Sequence, residues 1–423
     1  MKKLISIVLV VMLAVACLAG LGCKNTATPS TDGSTGASTD APDAATDAPD
    51  AANDAPEAGG TIKVGILGPH TGEFAVYGLA VRNGAQLYFD QVNAAGGVNG
   101  KQIETIVYDQ KGDSTEAITA FTRMVDEGIT ALVGDVLTGN TIAVVGEAYP
   151  INMPMVTASA TAESVTVSET DGTVFTNVFR TCFIDPFQGE KMAAYAAEKL
   201  GFKTAAMIVQ TGNDYAIGLA EAFKAKCAEV GIEVLVEEGY AQGDVDFNAQ
   251  LTNILAANPD CVFCPNYYEN DGMIVKQARA LGLTATFLGG DGWAGVTDYA
   301  TAEELEGSYF CSAYAPGSSE AVIAFEQAYT AAYGADTLNM FAATGYDAAM
   351  LLVAALKKAE ESGFAPASDE YKQAVLDAIR TEGPSVSGVT SAVGYTFDEN
   401  NNPIKDAVIM VVTDGVETFK EIY

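Results

Sequence analysis

The stretch "IKVGILGPHTGEFAVYGLAVRNGAQLYFDQVNAAGG", residues 62–97, decides the fold. "IKVGIL" reads as a short strand. Val81, Ala85, Tyr88 and Val92 then recur at helical spacing, and the helix stops at Gly96–Gly97. The polar loop "GPHTGEFAVYG" joins the two. Outward from this unit the rhythm repeats. "IETIVY" is a second strand, and "TEAITAFTRMVDEG" is a helix with Ile118, Phe121 and Val125 on one face that stops at Gly128. "ITALVG", a short helix and "MPMVT" follow. A second series runs "TAAMIVQ", a helix to Val230, "IEVLVEE", a helix from Phe247, "DCVFCPN", a helix through "MIVKQARALG" and "ATFLGG". Strands alternating with helices imply an α/β protein whose parallel sheets are covered on both faces. Two such series, roughly 120 residues each, imply two lobes rather than one large sheet.

Composition narrows the function. The 423 residues carry 22 basic and 55 acidic side chains, a formal net charge of −33. Phosphate binding needs a basic face, so nucleic acid is excluded as a partner. The single His70 leaves little room for histidine metal sites or histidine catalysis. No GxSxG elbow, Walker loop or clustered metal ligands occur, so the chain reads as neither an enzyme nor a metal or cofactor protein.

The N-terminus reads as an export signal, with "MKK" followed by an apolar run over 4–16 that is too short to span a bilayer. "AGLGC" ends at Cys23 and resembles the lipobox of bacterial lipoproteins, which makes 1–22 the signal peptide and Cys23 the lipidated residue. "LAVAC", ending at Cys17, fits the same looser pattern. Residues 23–60 are an Ala/Asp/Pro/Ser/Thr tether without the large apolar side chains needed to offset its ordering entropy. Of the remaining cysteines, Cys261 and Cys264 have CxxC spacing, but they lie in a β-like run without a second pair and read as buried apolar residues.

In open parallel sheets ligands sit beyond the carboxyl ends of the strands. Six segments of this chain fall there: "GPHTGEFAVYG", "DVLTGNT", "ASATAES", "TGNDYAIG", "YYEND" and "DGWAG". Three come from each half, and together they offer hydroxyls, aromatics and one acid, Asp291, framed by glycines beside the chain's only tryptophan, Trp293. Such a set suits a zwitterion, because a charge taken out of water must be paired.

These motifs, with "NAAGGVNGKQI", "YDQKGDSTEA", "ATGYDAA" and "QARALGLTATFLGGDGW", resemble the type I periplasmic solute-binding proteins, and among them the branched-chain amino-acid-binding family of ABC importers. The resemblance covers 61–423. It implies two Rossmann-like lobes joined by a three-crossing hinge: 61–184 with 315–405, and 185–314 with 406–423. It also implies that Thr138 receives a ligand α-carboxylate, that Ser159 and Thr161 hold the carboxylate and ammonium, and that Tyr77, Tyr215 and Tyr267 line the side-chain pocket. Asp291 would pair with the ammonium while Trp293 walls the pocket. Two departures stand out. Gly112 and Leu137 occupy positions where some members have a disulfide, and Asp291 stands where the leucine-binding branch has glutamate. The implied protein is a monomeric extracytoplasmic lipoprotein, tethered to the membrane by its lipid, that passes an apolar amino acid to ABC permease subunits. A sensory co-receptor, or a binder of an amide- or urea-type solute, is the alternative.

Overall fold

The computed structural model describes residues 59–423. The signal peptide, Cys17, Cys23 and nearly all of the tether lie outside the described residues. The first strand, β1 (Gly59–Gly68), takes in the last two residues assigned to the tether.

β1 leads into α1 (Ala75–Ala94), β2 (Lys101–Asp109), α2 (Ser114–Asp126), β3 (Ala131–Val133), α3 (Thr138–Ala148), β4 (Met155–Thr157) and β5 (Val178–Arg180). The five strands form one sheet, ordered β2-β1-β3-β4-β5, with every pair parallel. Its strand order reverses between β1 and β3. In α2 the buried face is Ala117, Ala120, Phe121 and Met124, one residue away from the expected Ile118 and Val125, which are only partly covered. The small alanines let the helix lie close to the sheet.

A second sheet begins after α4 (Asp185–Glu198), with β6 (Thr204–Gln210), α5 (Asp214–Val230), β7 (Glu233–Tyr240), α6 (Asn248–Ala257), β8 (Cys261–Cys264), α7 (Tyr268–Ala280), β9 (Thr286–Gly289), α8 (Ala302–Leu305) and β10 (Tyr309–Ser312). The chain then returns to the first half. There α9 (Glu320–Tyr333) and α10 (Met340–Ala359) pack on α1, and α11 (Asp369–Glu382) packs on α10. It finishes on the second sheet with β11 (Val408–Thr413) and β12 (Val416–Ile422), giving the order β12-β11-β10-β9-β8-β6-β7. This sheet reverses between β6 and β8.

The second sheet is not wholly parallel. β10–β11 and β11–β12 pair antiparallel. Asp414 and Gly415, both with positive φ, form the two-residue turn between β11 and β12, and Asp-Gly favours such a turn. Strands β5 and β10 are only three and four residues long, and neither stands out from its surroundings in the sequence. Cys261 and Cys264 are free and buried in β8, as are Cys182, Cys227 and Cys311 elsewhere.

Candidate ligand-binding site

Both sheets present their strand ends to the same space. Tyr77 follows β1 and Thr138 follows β3, the strands flanking the first reversal; Tyr215 follows β6 and Tyr267 follows β8, flanking the second. Ser159 follows β4 and Asp291 follows β9. These six residues, with Val136, Leu137, Gly292 and Phe341, line one small cavity of about 10 Å³, so the lobes must part to admit a ligand.

Local chemistry aims the aromatics. Asn213 caps α5, its side chain accepting from Tyr215 N and Ala216 N, which fixes Tyr215 in the first turn. Asn339 caps α10 in the same way through Phe341 N and Ala342 N. Each such cap stabilises its helix by about 1 kcal/mol. The Tyr215 ring stacks on Tyr267 at 5.0 Å and 8°.

The two halves meet directly over the cavity. Tyr77 Oη donates to Gly292 O at 2.5 Å and accepts from Tyr268 N at 3.1 Å, while Tyr268 Oη donates to Glu73 O. Tyr268 faces this contact and Tyr267 the cavity.

The first-half end of the cavity is a donor end. Thr138 is the first residue of α3, and no side chain caps that helix, so its first N–H groups are open to an anion. Thr138 Oγ1 accepts from Thr161 N at 3.4 Å, which leaves the hydroxyl hydrogen available to donate. Ser159 Oγ donates to Val136 O.

The second-half end is an acceptor end. Asp291 is 1% exposed. Its Oδ1 accepts from Tyr215 Oη at 2.9 Å and Gln188 Nε2 at 3.1 Å, while Oδ2 is buried without a partner. Burial pushes the Asp291 carboxyl up to about 6, against the pull of the Tyr215 and Gln188 donors. Burial also holds Asp185 well above the carboxylate range, and the Asp291 charge adds to that. Tyr215 is likewise raised by burial and then by Asp291, so it remains a phenol that donates.

Two expected site residues fall elsewhere. Trp293 does not wall the cavity. The 3-10 turn Asp291–Trp293 sends the two side chains different ways, and Trp293 is 0% exposed in the core. Its Nε1 donates to Cys264 O at 2.8 Å, and its ring stacks on Phe310. It also fills the space above Gly289, where a Cβ would come within 2.0 Å of the indole. The indole needs both apolar cover and a partner for its N–H, and the core supplies both. Thr161 is buried next to the cavity without lining it, acting through its backbone N–H on Thr138; its own hydroxyl is unpaired.

Sequence reasoning missed Gln188 and Phe341. The signal for Phe341 was the pattern Asn-x-aromatic at a helix start, "NMF", which matches "NDY" at Tyr215. Gln188 carried no signal, because a buried amide on a helix looks like a surface one in sequence. Among the described residues, no group of three or more His, Cys, Asp or Glu side chains is placed to hold a metal ion.

A model of the periplasmic binding protein family matches residues 61–417. The chain is 34% identical, over 232 residues, to a leucine-, isoleucine-, valine-, threonine- and alanine-binding protein of Pseudomonas aeruginosa. That match covers 55% of this chain and 61% of the relative, less than two thirds of its length. Among solved structures, the leucine-binding protein LivK of Thermotoga maritima is 30% identical with a TM-score of 0.76, covering 86% of this chain and 98% of that one. LivJ of Streptococcus pneumoniae, a branched-chain amino acid transporter substrate-binding protein in complex with isoleucine, is 33% identical with a TM-score of 0.76, covering 86% and 99%. With two α/β halves meeting over one small cavity, the chain belongs to the periplasmic binding protein family, a family of binding proteins and not of enzymes.

Proposed function

We propose that this protein captures a free L-α-amino acid with an apolar side chain between two closing lobes, 61–184 with 315–405 and 185–314 with 406–423. The observation that carries the reading is the unpaired, buried Asp291 Oδ2 at one end of a cavity whose other end is an uncapped helix start with the Thr138 hydroxyl. A zwitterion supplies what each end lacks. Its ammonium pairs with Asp291, and its carboxylate takes the α3 N–H groups and the Thr138 hydroxyl, while Ser159, whose hydroxyl donates to Val136 O, orders the loop beside them. Val136, Leu137, Phe341 and the tyrosine rings then surround the side chain. Tyr77, Tyr215 and Tyr267 serve as its walls, and Thr161 steadies Thr138. The likeness to LivK and LivJ supports the apolar side chain and delivery to ABC permease subunits. Lipid attachment at Cys23, after removal of 1–22, would tether the monomer outside the cell membrane.

A thermal-shift screen of residues 59–423 against all common amino acids tests the reading. A ligand that binds only the folded state raises its melting temperature. Leucine, isoleucine or valine is expected to give a saturable rise. No rise with any amino acid, together with a rise for amides or ureas, overturns it. Replacing Cys23 by serine should release the full protein into the medium; if only the Cys17 change does so, the anchor is Cys17.

A further inference from the structure

We infer that Gln188 is the positioning residue of the site: its amide grips Asp291 at backbone and side chain, and leaves Oδ2 as the one acceptor offered to the ligand's ammonium. Gln188 is fully buried in the first turn of α4. Its Oε1 accepts from Asp291 N at 2.8 Å, and its Nε2 donates to Asp291 Oδ1 at 3.1 Å. Turning the amide over would set NH₂ against N–H and carbonyl against carboxylate, so the two contacts together fix its orientation. Tyr215 Oη completes the grip, donating to Oδ1 at 2.9 Å and accepting from Gly292 N at 2.8 Å. Oδ1 thus has two donors and Oδ2 none.

Gly290 makes the grip possible. A Cβ there would lie 2.4 Å from Leu219 Cδ2, 2.9 Å from Tyr215 Oη and 3.1 Å from Gln188 Oε1. This gives one of the glycines in "FLGGDGW" a specific task. It also bears on the shorter acid: a fixed carboxylate holds its free oxygen at one point, so the ligand must come to it.

The groups that face Asp291 do not supply a cation. Asp185 approaches from α4, Tyr215 from α5, Tyr267 from the start of α7, Cys182 from the segment between β5 and α4, and Cys311 from β10. Arg180 is near Asp185, but its own hydrogen bonds go to Ala160 O, Ala162 O and Thr166 Oγ1. The Gln188 and Tyr215 donors therefore favour the ionised carboxylate against burial. Removing the Gln188 donor should raise the pH at which Asp291 loses its proton. A residue that merely joined α4 to the turn would not move that pH.

The ligand consequence rests on the amino-acid reading above; the carboxyl titration does not. In the full protein, Gln188→Met keeps the length and removes both hydrogen bonds. Gln188→Glu keeps an acceptor for Asp291 N–H and sets a second carboxyl beside Oδ1. Asp291 is followed without ligand by infrared difference spectra against Asp291→Asn. The midpoint is expected to rise by at least about half a pH unit in Gln188→Met and further in Gln188→Glu. L-isoleucine is then the probe for binding. Its affinity in Gln188→Met should fall near pH 6 by about twofold for a half-unit rise and about fivefold for a full unit, and return to the wild-type value near pH 9. An unmoved midpoint in whichever variant folds overturns the inference, as does an equal affinity loss at every pH. If wild type binds neither isoleucine nor any other amino acid, the amino-acid reading fails while the midpoint still decides the role of Gln188.

Discussion

The two ends of the cavity solve the same problem with different materials. The first-half end offers the ligand no charge: it uses the α3 N–H groups and the Thr138 hydroxyl, and the Asp135 carboxyl behind it is turned to Gln110, Val136 N and Leu137 N. The second-half end uses a full charge, Asp291, buried with one oxygen unsatisfied. Dipoles and hydroxyls cost little when the cavity is empty, because they carry no net charge. A buried carboxylate is costly until a cation arrives. Differential affinity for the ligand should therefore concentrate at Asp291, whose ionisation should dominate the response of binding to pH.

The comparison breaks most clearly at Asp291. Asp291→Asn keeps the shape and leaves the ligand ammonium buried without its counter-charge. Affinity for the amino acid is expected to fall by about 2–5 kcal/mol, roughly 30-fold to several thousand-fold, in calorimetric titration. Stability of the empty protein should not fall. The native pKa of about 6 lies above the ordinary aspartate value of 3.8. The native state therefore holds the proton more tightly than the unfolded chain, and this group's contribution to stability declines as pH rises from about 4 through about 6. At pH 7 the ionised carboxylate is a net cost that asparagine lacks. A stability loss with unchanged affinity would mean that the acid serves the turn and not the ligand.

Thr138→Val probes the opposite end. It removes one hydroxyl and leaves the α3 N–H groups in place. A hydrogen bond to a charged group contributes about 1.5–3 kcal/mol, so the affinity loss should be about tenfold to a hundredfold and independent of pH between 5 and 9. A loss as large as that of Asp291→Asn would show that the two ends are not built differently.

pH alone should give the next effect. The ammonium needs the ionised form of Asp291, whose carboxyl sits at about 6 in the empty protein. Bound ligand lowers that value, so binding releases a proton below pH 6. Affinity should be flat above about 6.5 and drop by up to about tenfold per pH unit below 6. Asp291→Asn should lose this acid limb. If it persists in the mutant, another group sets it, the buried Asp185 and Asp135 carboxyls being the candidates.

Much of this contrast was legible in the sequence. The strand ends were readable because parallel strands give compact apolar runs and glycines mark the stops, so Tyr77, Thr138, Ser159, Tyr215, Tyr267 and Asp291 fall just beyond strands whose place in the sheets follows from their order. What was not legible depends on side-chain direction or on distant contact. Gln188 meets Asp291 across 103 positions of chain. Phe341 comes from a helix that packs on α1 and is apolar through most of its length. Strands β5 and β10 are too short to show a period. Trp293 was misplaced because two residues in one 3-10 turn, adjacent in sequence terms, point apart.

That misplacement supplies the smallest expected effect and the sharpest control. Asp291 and Trp293 share a turn, yet one faces the cavity and the other the core. Trp293→Phe removes the hydrogen bond to Cys264 O and part of a ring packed over Gly289 and Phe310. Leaving that carbonyl unpaired and opening a small void should cost about 1–4 kcal/mol of stability in denaturant titration. Amino-acid affinity should stay within about twofold, because the turn is also held by Gln188 at Asp291 N, Tyr215 at Gly292 N and Glu417 at Gly295 N. A large affinity loss with little change in stability would place the indole against the ligand after all. It would then follow that the cavity opens toward the core on binding, and the separation of acceptor turn from supporting core would have to be given up.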